Sequence, residues 1–336
     1  MTNYDFLYDK TFFGDRLDQN HYSPKKLNFR IIHNGTFLPH MNVDGTNGFG
    51  GILDENGNFV DGTFLHRNTG GAYAPNFVVN SNETVVYLGM IVSIWGHNLT
   101  DNLSRAWFFK NEYYRRYFRN VPAIYTNMGG GGKGYWQLIK ILGINSWNLR
   151  EITFPIKFRT IIVPDESFFL EDYAGDLADA DEIKASADNF LFKTPAYFTS
   201  EYVDTINEIR EYARKNFLWL DNKKFYFFHG QKGFGEEKLE DFFKGKGYEI
   251  VRPERLELKD QLNILANAES FASTVGSISH NVLFLNDHSE VILIPRYVDL
   301  NMNQYQQAIN QVHEQNVVYV DSALSVWANS PNGIFY

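Results

Sequence analysis

The chain has 336 residues, 44% of them apolar, with a formal net charge of −9 and a pI near 5.5. That length predicts two domains of roughly 150 residues each, and the acidic balance argues against a nucleic-acid-binding protein, which needs a basic surface. With no cysteine, disulfides, zinc–thiolate sites and thiol nucleophiles are excluded. Met1-Thr2-Asn3-Tyr4-Asp5 does not read as the opening of a signal peptide, and the longest apolar run, Val85–Trp95, is about half a membrane span. The expectation is a cytoplasmic protein.

Residues 1–80 are rich in Gly, Asn and Asp and carry short β-prone runs such as Phe29–Ile32. Glu55-Asn56-Gly57-Asn58, between Gly51-Ile52-Leu53 and Phe59-Val60, reads as a hairpin. This part predicts a β-rich entry without evident chemistry.

Val85–Ser93 predicts a buried strand, after which Trp95-Gly96-His97 turns the chain into a helix expected over Asn98–Phe118. On such a helix His97, Asp101 and Arg105 share one face, while Leu99, Leu103, Ala106 and Trp107 form the core contact. A histidine, a carboxylate and a guanidinium in a row can supply a general base and its orienting partners. The same spacing also fits a solvated face with charge pairing. Farther on, Lys110, Arg115, Arg116 and Arg119 interleave with Tyr113, Tyr114, Tyr117 and Phe118. That suits contact with a membrane surface or an anionic acceptor, or an ordinary solvated helix end.

Val121–Thr126 predicts a strand, and Gly129-Gly130-Gly131-Gly132-Lys133-Gly134 leads into a helix over Tyr135–Leu142. No Ser or Thr follows Lys133, so this is not a Walker A loop; it either closes over a substrate or simply connects. Arg159–Val163 is another strand. The acidic, Ala-rich stretch Phe169–Pro195 is the expected interdomain connection. Its Asp179-Ala180-Asp181 has the spacing of a manganese-binding pair but lacks a preceding apolar strand, and reads as a solvated segment.

From Thr199 the pattern alternates: helix Ser200–Asn216, strand Lys224–Phe228, helix Glu236–Lys244, strand Tyr248–Val251, helix Lys259–Ala266, strand Phe271–Thr274. A short helix His280–Leu285, strand Val291–Pro295, helix Gln304–Glu314 and strand Val317–Val320 follow. This predicts a parallel doubly wound sheet, which binds ligands at the carboxyl ends of its strands. The loops His229–Glu237, Arg252–Glu257 and Val275–His280 then share one edge. In the last of them Gly276 permits a close backbone approach, and serines precede a helix start whose N–H groups suit a phosphate.

Four blocks lie in order along the chain: Trp95-Gly96-His97-Asn98-Leu99-Thr100-Asp101; Leu103-Ser104-Arg105-Ala106-Trp107; Gly247-Tyr248-Glu249-Ile250-Val251 through Gln261; and Ser273-Thr274-Val275-Gly276-Ser277-Ile278-Ser279-His280-Asn281 with Leu283-Phe284. Together they resemble family 61 of the glycosyltransferases, particularly its bacterial capsule and exopolysaccharide members, over roughly Gly50 to Pro295. The resemblance implies an α/β, GT-B-like fold in which two Rossmann-like domains face a cleft. Residues 1–190, with a β-rich N-terminal portion, would be the acceptor side; residues 191–336 would bind the nucleotide-sugar. It implies inverting transfer without a metal or other cofactor, from a nucleotide-sugar (a UDP-sugar is expected) to an oligosaccharide or lipid-linked glycan acceptor. The setting would be surface polysaccharide synthesis, with peripheral contact at the inner membrane face left open.

The same resemblance implies that Gly276, Ser277, Ser279, His280 and Asn281 hold the donor diphosphate, and that Glu237 or Glu236 bridges a ribose diol. Where the family has an arginine after the first strand of the second domain, this chain reads Phe228-His229-Gly230-Gln231-Lys232, so His229 or Lys232 takes over that phosphate contact. Asp101 is the expected base, with His97 its competitor and Arg105 positioning either. A sugar phosphotransferase using the same cleft, or an inactive glycan-binding protein, stays open.

Overall fold

The computed structural model describes residues 4–6, 19–43, 46–63, 72–128, 133–144, 148–170, 195–216, 224–229, 236–294 and 304–320. The chain divides into two compact units. One, the mixed-sheet unit, comprises Ser23–Leu191 and Phe198–Thr205; the other, the parallel-sheet unit, comprises Met1–Tyr22, Phe192–Tyr197 and Ile206–Tyr336.

In chain order the strands are β1 (Tyr4–Phe6), β2 (Phe29–His33), β3 (Thr36–Val43), β4 (Thr46–Leu53), β5 (Val79–Val92), β6 (Ala123–Met128), β7 (Leu149–Glu151), β8 (Ile156–Pro164), β9 (Phe168–Leu170), β10 (Ala196–Phe198), β11 (Lys224–Phe228), β12 (Tyr248–Val251), β13 (Ala268–Thr274), β14 (Glu290–Ile294) and β15 (Asn316–Tyr319). The α-helices are α1 (Trp95–Leu99), α2 (Glu112–Tyr117), α3 (Lys133–Ile141), α4 (Ser200–Lys215), α5 (Glu236–Gly245), α6 (Leu258–Asn267) and α7 (Gln304–Gln311). Among the described residues no helix is long and apolar enough to cross a membrane.

The mixed-sheet unit is built on the strand order β4-β3-β8-β5-β6-β7, with β2 also pairing β8. The β-rich entry supplies β2, β3 and β4, which pair antiparallel, whereas β8, β5, β6 and β7 run parallel. The last eight residues of β5, Val85–Val92, are all buried, as expected of a strand covered on both faces. Phe37, Ile52, Tyr87, Ile124, Phe158 and Ile161 form the main core around it. The hairpin expected at Glu55–Asn58 is present: the Asp54 carboxylate accepts the N–H groups of Asn56 and Asn58 at 2.9 and 2.8 Å, and Leu53 bridges to Phe59.

The single helix expected over Asn98–Phe118 is instead three short pieces: α1, a 3-10 helix Ala106–Lys110, and α2. Side chains break it. Asn102 donates to Val92 O at 3.0 Å and to Asn98 Oδ1 at 2.6 Å, which draws the chain back onto the end of β5 in competition with the helical ladder. Asn111 then accepts the Tyr113 N–H at 2.8 Å and caps α2 afresh.

The parallel-sheet unit has the order β1-β15-β14-β13-β11-β12, and every pairing is parallel. Strands β11 and β12 occupy the expected residues because each is a dense apolar run between turn-forming residues. The Phe227 and Phe243 rings, 4.6 Å apart, clamp α5 to β11, in a core shared with Leu239, Ala272 and Ile294. Counted from β11 onward, the order is 2-1-3-4-5, so chain direction around the sheet reverses between β11 and β13. In the mixed-sheet unit the four parallel strands reverse likewise between β5 and β8. Such reversals open a crevice at the carboxyl ends of the strands.

Candidate functional site

In the mixed-sheet unit the chain leaves the carboxyl end of β5 at the reversal and turns through α1. His97 Nδ1 lies 2.5 Å from Asp101 Oδ2, with the side chains 11% and 10% exposed. A carboxylate oxygen accepts, so Nδ1 is the donor of this pair and the ring is oriented by the contact. The Thr100 hydroxyl is 3.1 Å from the same Asp101 oxygen. Burial, and then the negative charge of Asp101, raise the pKa of Tyr202 well above normal; its hydroxyl stays a donor, to Leu99 O at 2.7 Å.

The turn bearing this pair is firmly held. Ser104 O accepts both the N–H and the hydroxyl of Ser167, at 2.8 and 2.7 Å, and Trp107 Nε1 donates to Asp165 O at 2.8 Å. The Trp95 ring lies so close to Gly134 that a Cβ there would sit 2.8 Å from it. Only glycine admits that approach.

Arg105 does not join the His97–Asp101 pair. Because α1 ends at Leu99, the four-residue spacing no longer keeps Arg105 on the same face. Its side chain is buried and clamps backbone: Nε donates to Pro164 O at 3.1 Å, and Nη2 to Gly62 O and to Glu166 Oε1, the latter at 3.0 Å. The guanidinium lies 5.1 Å over the Tyr87 ring. Arg105 thus fixes the end of β8 beside the turn.

In the parallel-sheet unit, His229 follows β11 at the reversal and is fully buried. Its N–H donates to Val251 O at 3.1 Å, and Nδ1 lies 2.6 Å from Glu240 Oε1 on α5. Arg252, just past β12, donates to His229 O at 2.8 Å and also to Glu240. Burial pushes the Glu240 carboxyl up, but hydrogen bonds from Arg252 and His229 outweigh it and hold the group below its ordinary value. Arg252 Nη1, a donor only, also lies 2.8 Å from His229 Nδ1, so the ring nitrogen sits between the guanidinium and the Glu240 carboxylate. Arg252 and Glu240 carry no local signal in the sequence; the one hint was that the Arg252–Glu257 loop falls on the same sheet edge. Lys232 lies outside the described residues. Glu236 and Glu237 open α5, where the Glu237 side chain is exposed.

The turn after β13 is built around Gly276, whose φ of 148° favours glycine. Its N–H donates to Ser279 Oγ at 3.0 Å. The Ser279 hydroxyl lies 2.5 Å from Gln306 Oε1 and 2.7 Å from Gly276 O. Gln306 then donates to Asn310 Oδ1, and Asn310 to the Tyr319 hydroxyl, each at 2.8 Å. All four side chains of this relay are buried, and α7, with the glutamine-rich sequence QYQQAINQ, is buried over Gln304–Asn310. Asn281 donates to Ile278 O at 2.8 Å.

Ser279 and Asn281 therefore shape the turn through its own backbone. His280 is buried beside them, in a 3-10 helix Ser279–Phe284. Ser277 is half-buried, and among the described residues no acceptor takes the N–H groups of Ser277 or Ile278. Those two amides are the donors the turn can offer a ligand. The structure thus gathers His229, Gly276, Ser277, Ser279, His280 and Asn281 at one sheet edge, and His97 with Asp101 at the other unit's reversal.

The profile of the Glycosyltransferase 61 family matches residues 95–292, more than half of the chain. The match opens two residues before His97 and closes within β14. This chain belongs to glycosyltransferase family 61. Membership implies sugar transfer, with a sugar donor and a glycan acceptor. No curated protein matches the chain in a sequence comparison.

Proposed function

We propose that this chain is an inverting, metal-independent glycosyltransferase of the GT-B type. It moves a sugar from a nucleotide-sugar, expected to be a UDP-sugar, to a glycan or lipid-linked glycan in surface polysaccharide synthesis. The observation that carries the donor side is the β11/β13 reversal, which collects the Ser277 and Ile278 amides, His229 and Arg252 at one carboxyl edge. Backbone N–H groups and a nearby guanidinium suit the negative charge that develops on a departing diphosphate.

For the acceptor side, His97 serves as general base and Asp101 as its orienting partner. Asp101 already accepts from the imidazole, which leaves Nε2 as the better-placed proton acceptor, although sequence reasoning favoured the carboxylate. In the displacement the acceptor hydroxyl oxygen attacks the anomeric carbon and its proton passes to His97. The bond from that carbon to the phosphate oxygen breaks, and the diphosphate leaves with the electron pair.

A thermal-shift series with UDP, GDP and CMP, each with and without EDTA, tests the donor reading. A nucleotide near 100 times its dissociation constant should stabilise by about 2.7 kcal/mol. With a UDP- or GDP-sugar, release of the nucleoside diphosphate during turnover supports glycosyl transfer; release of UMP or GMP would assign a sugar phosphotransferase. Strict dependence on added Mn²⁺ would overturn the metal-free mechanism and bring Asp179 and Asp181, which lie outside the described residues, back into consideration.

A further inference from the structure

The segment 110–119, KNEYYRRYFR, sets Lys110, Arg115, Arg116 and Arg119 against a single carboxylate, Glu112, within a chain whose net charge is −9. On α2 only Tyr114 is buried. Tyr113 and Tyr117 are 46% and 55% exposed, with ring centroids 4.7 Å apart. Tyr113 also stacks on Phe29 of β2 at 5.4 Å. Ile31, two residues along and therefore on the same strand face as Phe29, is 47% exposed. The Arg116 guanidinium lies 5.3 Å over the Tyr117 ring. Among the described residues Arg115, Arg116 and Arg119 form no ion pair with a carboxylate. The result is a patch of amphipathic rings and one aliphatic side chain, rimmed by Arg115, Arg116 and Arg119, which meet no carboxylate among the described residues.

We infer that this face docks on the anionic surface of a lipid bilayer. Two requirements meet there and only there. Arginines gain from headgroup phosphates, at roughly fivefold in partitioning per cation near an anionic leaflet. Tyrosine rings gain from the boundary between headgroups and acyl chains, where the ring is apolar-facing and the hydroxyl stays wet. A soluble polyanion would satisfy the arginines but leave Tyr113, Tyr117 and Ile31 in water. The fit is to a surface that is charged outside and apolar just beneath. This inference stands apart from the donor and base assignments and concerns where the enzyme works.

The test is co-sedimentation of the full chain with phosphatidylcholine vesicles, with or without about 30 mol% phosphatidylglycerol, using heparin as the soluble polyanion. The wild type is expected to bind the anionic vesicles and to bind pure phosphatidylcholine weakly. Arg115→Gln/Arg116→Gln should lower partitioning about 25-fold, two cations at roughly fivefold each. Tyr117→Ser, at the most exposed ring of the patch, should weaken vesicle binding and leave heparin binding unchanged. Both variants alter exposed side chains, and an unchanged melting temperature confirms that they fold. Equal binding to neutral vesicles, no binding to anionic ones, or wild-type binding by the double-arginine variant would each overturn the inference. So would a Tyr117→Ser variant that binds vesicles as the wild type does, which would mark the patch as a site for soluble polyanions.

Discussion

His97 and Asp101 are joined Nδ1 to Oδ2 at 2.5 Å, across a single turn that begins in α1 and ends just past it. The contact makes the two side chains one functional group. His97→Ala is therefore expected to cost about 100-fold in kcat, the scale of a lost general base. Asp101→Asn should cost less, because the amide oxygen can still accept the Nδ1 proton. The double variant should be no worse than His97→Ala alone, since groups acting as a unit are non-additive. Steady-state kinetics of the three variants decide the order; an Asp101→Asn loss exceeding that of His97→Ala would make the carboxylate the base.

Arg105 should behave differently. Its guanidinium serves Pro164 O, Gly62 O and Glu166 at once, a forked geometry that an ammonium cannot reproduce. Arg105→Ala leaves Glu166 without this partner at a mostly buried position and is expected to destabilise by about 3 kcal/mol. Urea denaturation reads the loss, while turnover per folded molecule should stay within about threefold of wild type, well short of a missing base. A large kcat loss at unchanged stability would return Arg105 to the reacting groups.

The relay from Ser279 through Gln306 and Asn310 to Tyr319 predicts a long-range effect on ligand affinity. Gln306→Leu leaves the Ser279 hydroxyl with Gly276 alone and takes the donor from Asn310 Oδ1, at about 1–3 kcal/mol for an unsatisfied buried group. Because Ser279 holds Gly276, the turn should loosen and the nucleotide dissociation constant should rise at least tenfold. Leu265→Ala in α6 is the control: it loses about 2–5 kcal/mol of core packing and removes no hydrogen bond of the relay. Calorimetric titration with the nucleotide that stabilises the wild type should separate the two. Similar affinities in both variants would reduce the relay to a packing feature.

Acid should destabilise the chain earlier than carboxylate titration alone would predict. Burial, then the positive charge of Arg210, push the His313 pKa down to about 3, and burial lowers His21 and His40 as well. A folded-state pKa below the unfolded value near 6.5 means that the unfolded chain binds more protons. The stability is thus full above pH ~6.5 and is lost as pH falls toward the folded value, by at most about 1.4 kcal/mol per pH unit for one such group. Urea midpoints between pH 8 and pH 5 should show the decline, and His313→Gln should flatten part of it. A flat profile would contradict the burial of these rings.

Much of the parallel-sheet unit was legible in the sequence because its strands are short apolar runs and its helices keep a steady period. Lys224–Phe228 and Tyr248–Val251 needed nothing beyond their own residues. The stretch after β5 was harder to read. Spacing made His97, Asp101 and Arg105 look like one helical stripe, but whether a helix continues past Leu99 depends on Asn102 finding the backbone of Val92, and no local pattern encodes that. Partners distant in sequence were equally hidden: Arg105 with Glu166, and Arg252 with His229 and Glu240. In α7 Gln306 is interior because it links Ser279 to Asn310, a partnership that no local pattern encodes.

Strand β1 pairs in parallel with β15, Tyr4 opposite Val317, so the first and last strands among the described residues lie side by side. A ribosome releases the N-terminal end first, and this neighbour emerges only after some three hundred further residues. Tyr4–Phe6 must therefore wait while the mixed-sheet unit, assembled from residues between them, is free to form. Closing such a distant pair comes late and costs loop entropy, and an edge left open meanwhile invites pairing with other nascent chains. Slower synthesis or lower temperature during expression should then raise the yield of properly paired protein, which the solubility of the product would reveal.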